Sequence, residues 1–390
     1  MSELISPRLR ELQNQVENGD KAVLPEFWAE IEQRGTPIIE NAGDDDYYVS
    51  FLWRDEGTVQ AVDVIQDWGA DGIREHHMTH LPGTDIWYKT RVMRSDTRTT
   101  YQLAPDPLPA EFAGGVPFIL DPLNPNRTLM YFDETDFKIW FSPLVLPGAS
   151  SQPWINAKVP KGTITLHTPF TDGRQIWVYL PPTDAATPYS LLLVFDGRIA
   201  KDLVGLPQML DVRIAEGSIR PTVAVLVDNS DRRELTCDQA FTDYVTQRIV
   251  PWVQSKFPVS HDVAQTTVTG ASYGGLCAAY LGLRHPEVFG RVLSQTGWFR
   301  WHPESDPEHE WLTREFSASP VKSVRFYLDV GLLENARMLD GGPSQLVVNR
   351  HMRDVLRAKG YEVIYREYSG GHDYSSIQNP LFDALPLILG

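Results

Sequence analysis

Residues 266–286 read TTVTGASYGGLCAAYLGLRHP, and this stretch decides the fold class. The β-branched run 266–269 predicts a strand, and the later helix formers predict a helix that ends before Pro286. Between them, residues 270–274 match G-x-S-x-G, a sharp strand–turn–helix that exposes a serine hydroxyl at the top of a sheet. The two glycines of the pattern let the strand and helix backbones approach closely. We therefore expect Ser272 to be a nucleophile.

The composition limits the classes of protein. The chain has 390 residues, more than one compact core of ordinary size, so two domains are expected. A hydrophobic content of 42% and a charged content of 22% are typical of a soluble globular protein. The formal net charge of −16 argues against nucleic acid and against an anionic membrane surface as partners.

Cellular location is predicted from three absences in the sequence. The two cysteines, Cys237 and Cys277, are too few for a disulfide framework. The N-terminal residues contain no apolar segment of a secretory signal, and no run approaches the length of a membrane span. These features predict a cytoplasmic protein, and they give no indication of its oligomeric state.

The first 150 residues are expected to form a mostly-β domain with leading helices. Apolar positions at helical spacing predict two short helices between about Ser6 and Glu40. Short runs rich in β-branched and aromatic residues follow and favour an immunoglobulin-like sandwich. Proline and aspartate cluster from Pro105 to Arg127, and the chain is then expected to be irregular to about Pro160. The predicted strands are 47–53, 59–65, 85–92 and 99–103.

Residues 151–390 are expected to form an α/β-hydrolase domain. Strands alternate with helices from Gly162 onward, which predicts a mostly parallel sheet covered by helices. The predicted strands are 163–168, 174–179, 191–195, 223–227, 291–294, 324–330 and 363–367. The predicted helices are 237–257, 275–284 and 345–359.

A serine nucleophile needs a base and an acid that orients this base. In the α/β-hydrolase fold they follow the serine in the order acid, then histidine. His372 lies in SGGHDY, just after a predicted strand, and is the expected base. The acid should follow the strand 324–330. Glu334 in the turn GLLE is preferred, and Asp329, nearer the strand end, is the alternative.

The reaction also needs donors for the developing oxyanion. We expect the backbone N–H of Tyr273, at the start of the helix after the elbow, to be one donor. The second should come from the loop after the strand 191–195. That loop reads VFDGRIA, so Gly197 or Arg198 would supply it.

The triplet His76, His77 and His80 raises the possibility of a metal site, because histidines four residues apart can share one face of a helix. No helical stretch surrounds the triplet, and no carboxylate follows at ligand spacing. No metal site is expected there.

Several separate segments also resemble one protein family in the family's order. In the first domain they are FLWRD (51–55), LPGTDIWYKT (81–90), Arg98, Tyr101, Pro105-Asp106 and DPLNPNR (121–127). In the second they are FDGR (195–198), DRRELTC (231–237), GASYGG (270–275), FGRVLSQTGWFRW (289–301) and SGGHD (369–373). Over these segments the chain resembles the two-domain enterochelin (enterobactin) esterases, which open ferric catecholate siderophores.

The resemblance implies hydrolysis of a serine trilactone that carries catechol amides, with release of iron inside the cell. Ser272 would attack a lactone carbonyl, and His372 would take and return the proton. Iron would arrive as part of the substrate, a ferric catecholate siderophore, so no cofactor and no metal site of the protein are expected. An anionic aromatic substrate would need cations and rings. The implied substrate-binding residues are Arg198, Arg233, Trp298, Arg300 and Trp301.

Two features of the sequence leave the substrate open. Tyr273 is large enough to narrow the site, and residues 301–311 carry four acidic residues that do not suit an anionic ligand. One alternative is an acyl or carbohydrate esterase whose N-terminal domain binds polysaccharide. Another is a siderophore-binding protein with an inactive triad.

Overall fold

A computed structural model describes residues 4–57, 59–66, 76–106, 118–132, 138–183, 188–229, 231–336 and 341–390. The chain divides into two compact units. The first is Met1–Ser150 together with Ala336–Gly341 and Ser369–Ser376. The second is Ser151–Asn335, Gly342–Tyr368 and Ile377–Gly390. The first unit thus takes two short later segments besides the N-terminal 150 residues, and one of them carries His372.

The first unit begins with two helices, α1 (Pro7–Glu17) and α2 (Val23–Arg34). Ser6 caps α1, because its side chain accepts a hydrogen bond from the backbone N–H of Leu9. The apolar faces of both helices are buried against Leu52, Ile86 and Tyr88 of the following strands. The predicted pair of leading helices is present.

The described residues that follow in the first unit include two antiparallel four-stranded sheets. The first has the order β1-β2-β5-β4, formed by Ile38–Gly43, Asp46–Arg54, Ile86–Arg94 and Thr79–His80. The second has the order β3-β6-β8-β7, formed by Val62–Ile65, Arg98–Pro105, Lys138–Val145 and Thr128–Phe132. Phe51 of β2 and Tyr101 of β6 bring their ring centroids to 4.8 Å, so the sheets contact each other as in a sandwich.

Strands β7 and β8 are regular elements where the sequence predicted an irregular chain, between Arg127 and about Pro160. β8 contains Pro143, and a proline within a run argues against a strand because it cannot donate to the ladder. Pro143 nevertheless lies opposite Thr100 of β6. Buried Ser142 and Leu144 flank it, so burial of the strand outweighs the missing donor.

The second unit is built on one eight-stranded sheet. Its order is β16-β15-β14-β13-β11-β12-β10-β9, and every pair from β16 to β12 is parallel, while β10 is antiparallel to both neighbours. The strands are β9 Thr163–His167, β10 Ile176–Leu180, β11 Ser190–Val194, β12 Thr222–Val227, β13 Thr266–Ala271, β14 Arg291–Gln295, β15 Arg325–Gly331 and β16 Glu362–Tyr368. The predicted α/β architecture is confirmed.

Helices cover this sheet. They are α3 Leu206–Ala215, α4 Gln239–Tyr244, α5 Val250–Lys256, α6 Tyr273–Arg284, α7 Trp311–Ala318, α8 Gln345–Lys359 and α9 Tyr374–Leu389. A helical turn Gly197–Ile199 and a π-helical segment Ala200–Val204 precede α3, and a second π-helical segment, Val245–Ile249, joins α4 to α5. The sequence analysis missed α3, α7 and α9. Pro380 and Pro386 lie inside α9. A proline lacks the backbone N–H that a helix needs, so a sequence that contains one is not predicted to be helical.

The core of the second unit lies around β11 and β12. Every residue of these two strands is buried, as their continuous apolar runs predict for parallel strands covered on both faces. Within the described ranges, none of the helices is both long and apolar enough to cross a membrane. The carboxyl ends of β11, β13, β14 and β15 carry the residues of the candidate site.

Candidate active site

Ser272 occupies the turn between β13 and α6 in a strained backbone conformation, with φ 56° and ψ −118°. A non-glycine residue at such angles costs about 1–3 kcal/mol and persists only where its surroundings fix it. The backbone N–H of Ser272 donates to the carbonyl of Gln295 at 3.0 Å. Its carbonyl accepts from the N–H groups of Leu276 and Trp298, both at 3.0 Å. The turn is therefore held from three sides, with Ser272 half-buried at its tip.

The turn also depends on a close approach of strand and helix. A Cβ placed on Gly270 would lie 2.6 Å from the main-chain carbon of Gly274. A Cβ on Gly274 would lie 3.4 Å from the Cβ of Phe195, an ordinary contact. Only the first glycine of the G-x-S-x-G pattern is thus required by packing.

Two backbone N–H groups are candidate donors to an oxyanion. Tyr273 is the first residue of α6, and none of the described residues accepts from its N–H. The second candidate is Gly197, which follows Asp196 at φ 51°. A Cβ on Gly197 would lie 2.5 Å from the main-chain carbon of Leu226, so only glycine fits this turn. The turn follows β11, which pairs with the elbow strand β13, and this pairing sets both donors at one edge of the sheet.

The two candidate acids have different surroundings. Glu334 is buried, and its carboxylate accepts hydrogen bonds from the N–H of Gly331 at 2.8 Å and from the hydroxyl of Thr296 at 2.5 Å. Asp329 is fully buried and accepts from the Gln295 amide at 3.4 Å. Burial raises the pKa of Asp329 to about 8, and the charge of Glu334 adds to the rise.

These surroundings distinguish the acids as partners for a histidine. An acid that orients a catalytic histidine must be ionised, because it stabilises the imidazolium that forms. With a pKa of about 8, the Asp329 carboxyl is protonated at neutral pH. Glu334, fixed by an N–H and a hydroxyl, suits this role better.

His372 lies on the segment Ser369–Ser376 of the first unit, whereas Ser272 and Glu334 belong to the second. The segment is tied to β6 at Arg98. The Arg98 N–H donates to the Ser369 carbonyl at 3.1 Å, and the Arg98 carbonyl lies 2.9 Å from the Ser376 hydroxyl. Asp373, next to His372, is buried and accepts from the hydroxyls of Thr99 and Ser376. Burial raises the pKa of Asp373. The Asp373 side chain thus anchors the segment, while His372 is exposed.

The structure identifies a cation that the sequence analysis missed. Arg233, the predicted residue, extends into solvent and forms an ion pair with Asp231 at 2.5 Å. Its neighbour Arg232 is also exposed, at 52% of its side chain against 89% for Arg233, but its guanidinium lies beside the elbow. The Arg232 guanidinium lies 4.0 Å from the carboxylate of Asp196 and 5.8 Å from the centre of the Tyr273 ring. No sequence signal separates the two arginines.

The helical turn Arg232–Leu235 is fixed by an ion pair between Arg174 and Glu234. Arg174 is 8% exposed and binds the carboxylate of Glu234 through both terminal nitrogens, at 2.9 and 2.7 Å. Burial lowers the pKa of Arg174, whereas the hydrogen bonds to Glu234 and its charge raise it, and the net result is a raised pKa. The bidentate pair fixes the turn and so the direction of Arg232.

Cations and aromatic rings alternate beside Ser272. Tyr273 packs against Trp298 with ring centroids 5.6 Å apart, and the Arg300 guanidinium lies 5.4 Å from the Trp298 ring. We call Arg232, Tyr273, Trp298 and Arg300 the cation–ring row. Trp301 lies outside it, because its ring packs edge-on against Trp311 at 5.6 Å and so supports the core.

Three carboxylates of the acidic stretch 301–310 are paired. Asp306 binds Arg314, and Glu308 lies 3.7 Å from the same arginine. Glu310 contacts the Nδ1 of His351 at 2.6 Å. Pairing reduces the repulsion that this stretch exerts on an anionic ligand.

The histidine triplet of the first unit does not gather around one point. His77 contacts the buried carboxylate of Asp63, and His80 packs edge-on against Trp87 at 5.2 Å. Across the described residues, no group of three or more His, Cys, Asp or Glu side chains is arranged to hold a metal ion.

Known proteins resemble this chain over nearly its whole length. A family described as putative esterase matches residues 170–388, and one described as enterochelin esterase, N-terminal, matches residues 48–155. The iron(III) enterobactin esterase of Dickeya dadantii is 29% identical, over 93% of this chain and 92% of its own length. The iron(III) salmochelin esterase of Escherichia coli is 28% identical over 97% of both chains.

A solved structure extends the likeness to three dimensions. The crystal structure of the enterobactin esterase from Shigella flexneri in the presence of enterobactin has a TM-score of 0.70 to this chain at 25% identity. The match covers 91% of this chain and 95% of that protein.

Proposed function

The chain belongs to the enterochelin esterase family, and on that premise we propose that it hydrolyses the ester bonds of a cyclic catecholate trilactone carrying ferric iron. It is a carboxylic ester hydrolase, and the family resemblance predicted from its sequence is confirmed. The observation that carries the substrate class is the cation–ring row beside Ser272. Guanidinium groups attract an anionic complex, and aromatic faces accept flat catechol rings.

The proposed reaction proceeds through an acyl-enzyme. The Ser272 hydroxyl attacks a lactone carbonyl while His372 takes its proton, and Glu334 orients the imidazole. The N–H groups of Tyr273 and Gly197 hold the oxyanion. His372 then gives this proton to the leaving alkoxide of the substrate's own serine unit, which becomes a hydroxyl. Water, activated by the same histidine, releases a linear catechol–serine acid.

Arg232 takes the place of Arg233 in this proposal. Its guanidinium lies next to the elbow, whereas Arg233 is 89% exposed and paired with Asp231. Arg198 and Arg300 remain proposed substrate contacts, and Trp298 offers a ring. Iron enters as part of the substrate. We propose the cytoplasm as the place of reaction, and both cysteines are free thiols, as is usual in a reducing compartment.

Product chromatography on ferric and iron-free cyclic trilactones tests this function. Linear catechol–serine products should appear with the wild-type chain and be absent with Ser272→Ala. Intact trilactone in the presence of an enzyme that still cleaves simple acetyl esters would contradict the substrate class. Intact trilactone with no esterase activity at all would contradict the reaction.

A further inference from the structure

A cavity of about 380 Å³ lies in the second unit, beside the π-helical segment Ala200–Val204. It is separate from the elbow, because Ser272, Tyr273 and Gly197 are not among its lining residues. Its volume is within the range of sites for small organic ligands. The π-helical segment follows directly on the turn that carries Gly197, so the cavity adjoins the chain that positions a proposed oxyanion donor.

Trp154 lines the cavity and presents an unpaired donor. The residue is 3% exposed, and its ring packs on Phe382 with centroids 4.7 Å apart. Its indole Nε1 lies 3.7 Å from the point where a Cβ on Gly205 would stand, and Gly205 also lines the cavity. Within the part of the chain that the structure describes, no acceptor bonds this N–H. The N–H keeps access to the open space of the cavity, where the acceptor of a bound ligand can reach it.

Positive groups line one part of the same space. Lys201 and Lys161 line the cavity, and the Lys201 ammonium lies 5.5 Å from the centre of the Trp177 ring. Helix α3 begins here at Leu206, after the N-cap residue Gly205, which has no side chain to cap it, so the partial positive charge of its N-terminus faces the cavity. These groups favour an anion.

The remaining lining limits how much negative charge the cavity accepts. Asp202 pairs with Lys201, and Asp211 accepts from the Gly162 N–H and the Tyr179 hydroxyl, both at 2.8 Å. Two lysines against two aspartates suit a singly charged ligand better than a phosphate dianion. Apolar side chains complete the wall and would cover a hydrocarbon body; they include Ile155, Val159, Leu203 and Val204.

We propose that this cavity is a second, non-catalytic site for a small monocarboxylate with an apolar or aromatic body. The carboxylate accepts from the Trp154 indole N–H and gains charge stabilisation from Lys201. The apolar body lies against the aliphatic wall. This site is independent of the proposed ester hydrolysis, since none of its residues takes part in that reaction.

Calorimetry on the full chain with benzoate as the probe tests the site, and ¹⁵N-indole NMR locates it. Benzoate should bind with a stoichiometry of one to both the wild type and Ser272→Ala. It should shift one indole N–H signal, the signal that is missing from Trp154→Phe. Lys201→Gln should weaken binding by about tenfold, the loss of one charge-assisted contact. Lys158→Gln, an exposed lysine outside the cavity, is the matched control and should leave binding unchanged.

Four results would overturn the proposal. They are an absence of benzoate binding, tighter binding of inorganic phosphate than of benzoate, loss of benzoate binding in Ser272→Ala, and equal binding by Lys201→Gln and wild type. Ser272→Ala separates this site from the catalytic one, so failure here leaves the proposed function standing. If Trp154→Phe does not fold, Lys201→Gln against Lys158→Gln still decides the question.

Discussion

The guanidinium carbon of Arg232 lies 5.8 Å from the centre of the Tyr273 ring, and Tyr273 directly follows Ser272. The neighbouring Arg233 points to solvent and binds Asp231. Of two consecutive exposed arginines, Arg232 therefore lies beside the elbow, while Arg233 pairs with Asp231. This relationship gives the first prediction.

Arg232→Gln should raise KM for a ferric catecholate trilactone by roughly tenfold, because a guanidinium beside an aromatic ring contributes to binding of an anionic aromatic ligand. Arg233→Gln is the matched control and should change KM by less than about twofold, since exposed ion pairs contribute little. Steady-state kinetics on the ferric substrate and on a neutral acetyl ester measure both effects. The prediction is wrong if the two variants lose affinity equally, or if Arg232→Gln impairs both substrates alike.

The two glycines of the elbow should respond differently to alanine. Gly270→Ala should lower kcat by at least roughly a hundredfold, because its Cβ meets the main chain of Gly274 at 2.6 Å and displaces the turn that presents the oxyanion donor. Gly274→Ala should keep activity within a fewfold and raise the melting temperature slightly, because alanine is favoured over glycine in a helix. Kinetics and thermal unfolding of both variants decide the matter. Equal loss in both would contradict the packing argument.

Two amide variants show which carboxylate orients His372. Glu334→Gln should lower kcat by roughly 10²–10⁴-fold, because the imidazolium loses its charged partner. Asp329→Asn should keep kcat within a fewfold at pH 7, since its pKa of about 8 already keeps that carboxyl protonated. Both variants are compared at pH 7 on one substrate. The reverse order of effects would assign the role to Asp329.

Asp329 should also make stability depend on pH. Its pKa is about 8 in the folded chain against an ordinary value of 3.8, so the folded state binds this proton more tightly than the unfolded state. The stability it contributes is full below about pH 4 and is lost as the pH rises towards 8. Asp329→Asn should remove this loss, so the stability of the variant relative to wild type should rise between pH 4 and 8.

Urea unfolding across that pH range measures the effect. Glu304→Gln, which removes an exposed carboxylate of the same unit, is the control and should track the wild type. A constant difference between Asp329→Asn and wild type from pH 4 to 8 would contradict a raised pKa.

The sequence by itself determined the catalytic unit's architecture. The continuous apolar runs of β11 and β12 require burial on both faces, and the strand, turn and helix around Ser272 follow from local propensity. These patterns are local, so they can be read without knowing the neighbours. The same patterns failed for β8 and α9, where proline argues against a regular element that tertiary burial nevertheless stabilises.

Only the tertiary structure decided which of several equivalent residues lies at the site. Arg232 and Arg233 are identical in type, and the buried Arg174–Glu234 pair, 60 residues apart in the chain, decides which one faces Tyr273. Asp329 lies near the end of β15 and Glu334 in the turn after it, and the raised pKa of the first and the hydrogen bonds of the second separate them. Side-chain direction and pKa depend on atoms brought together from distant parts of the chain, and a sequence pattern does not contain that information.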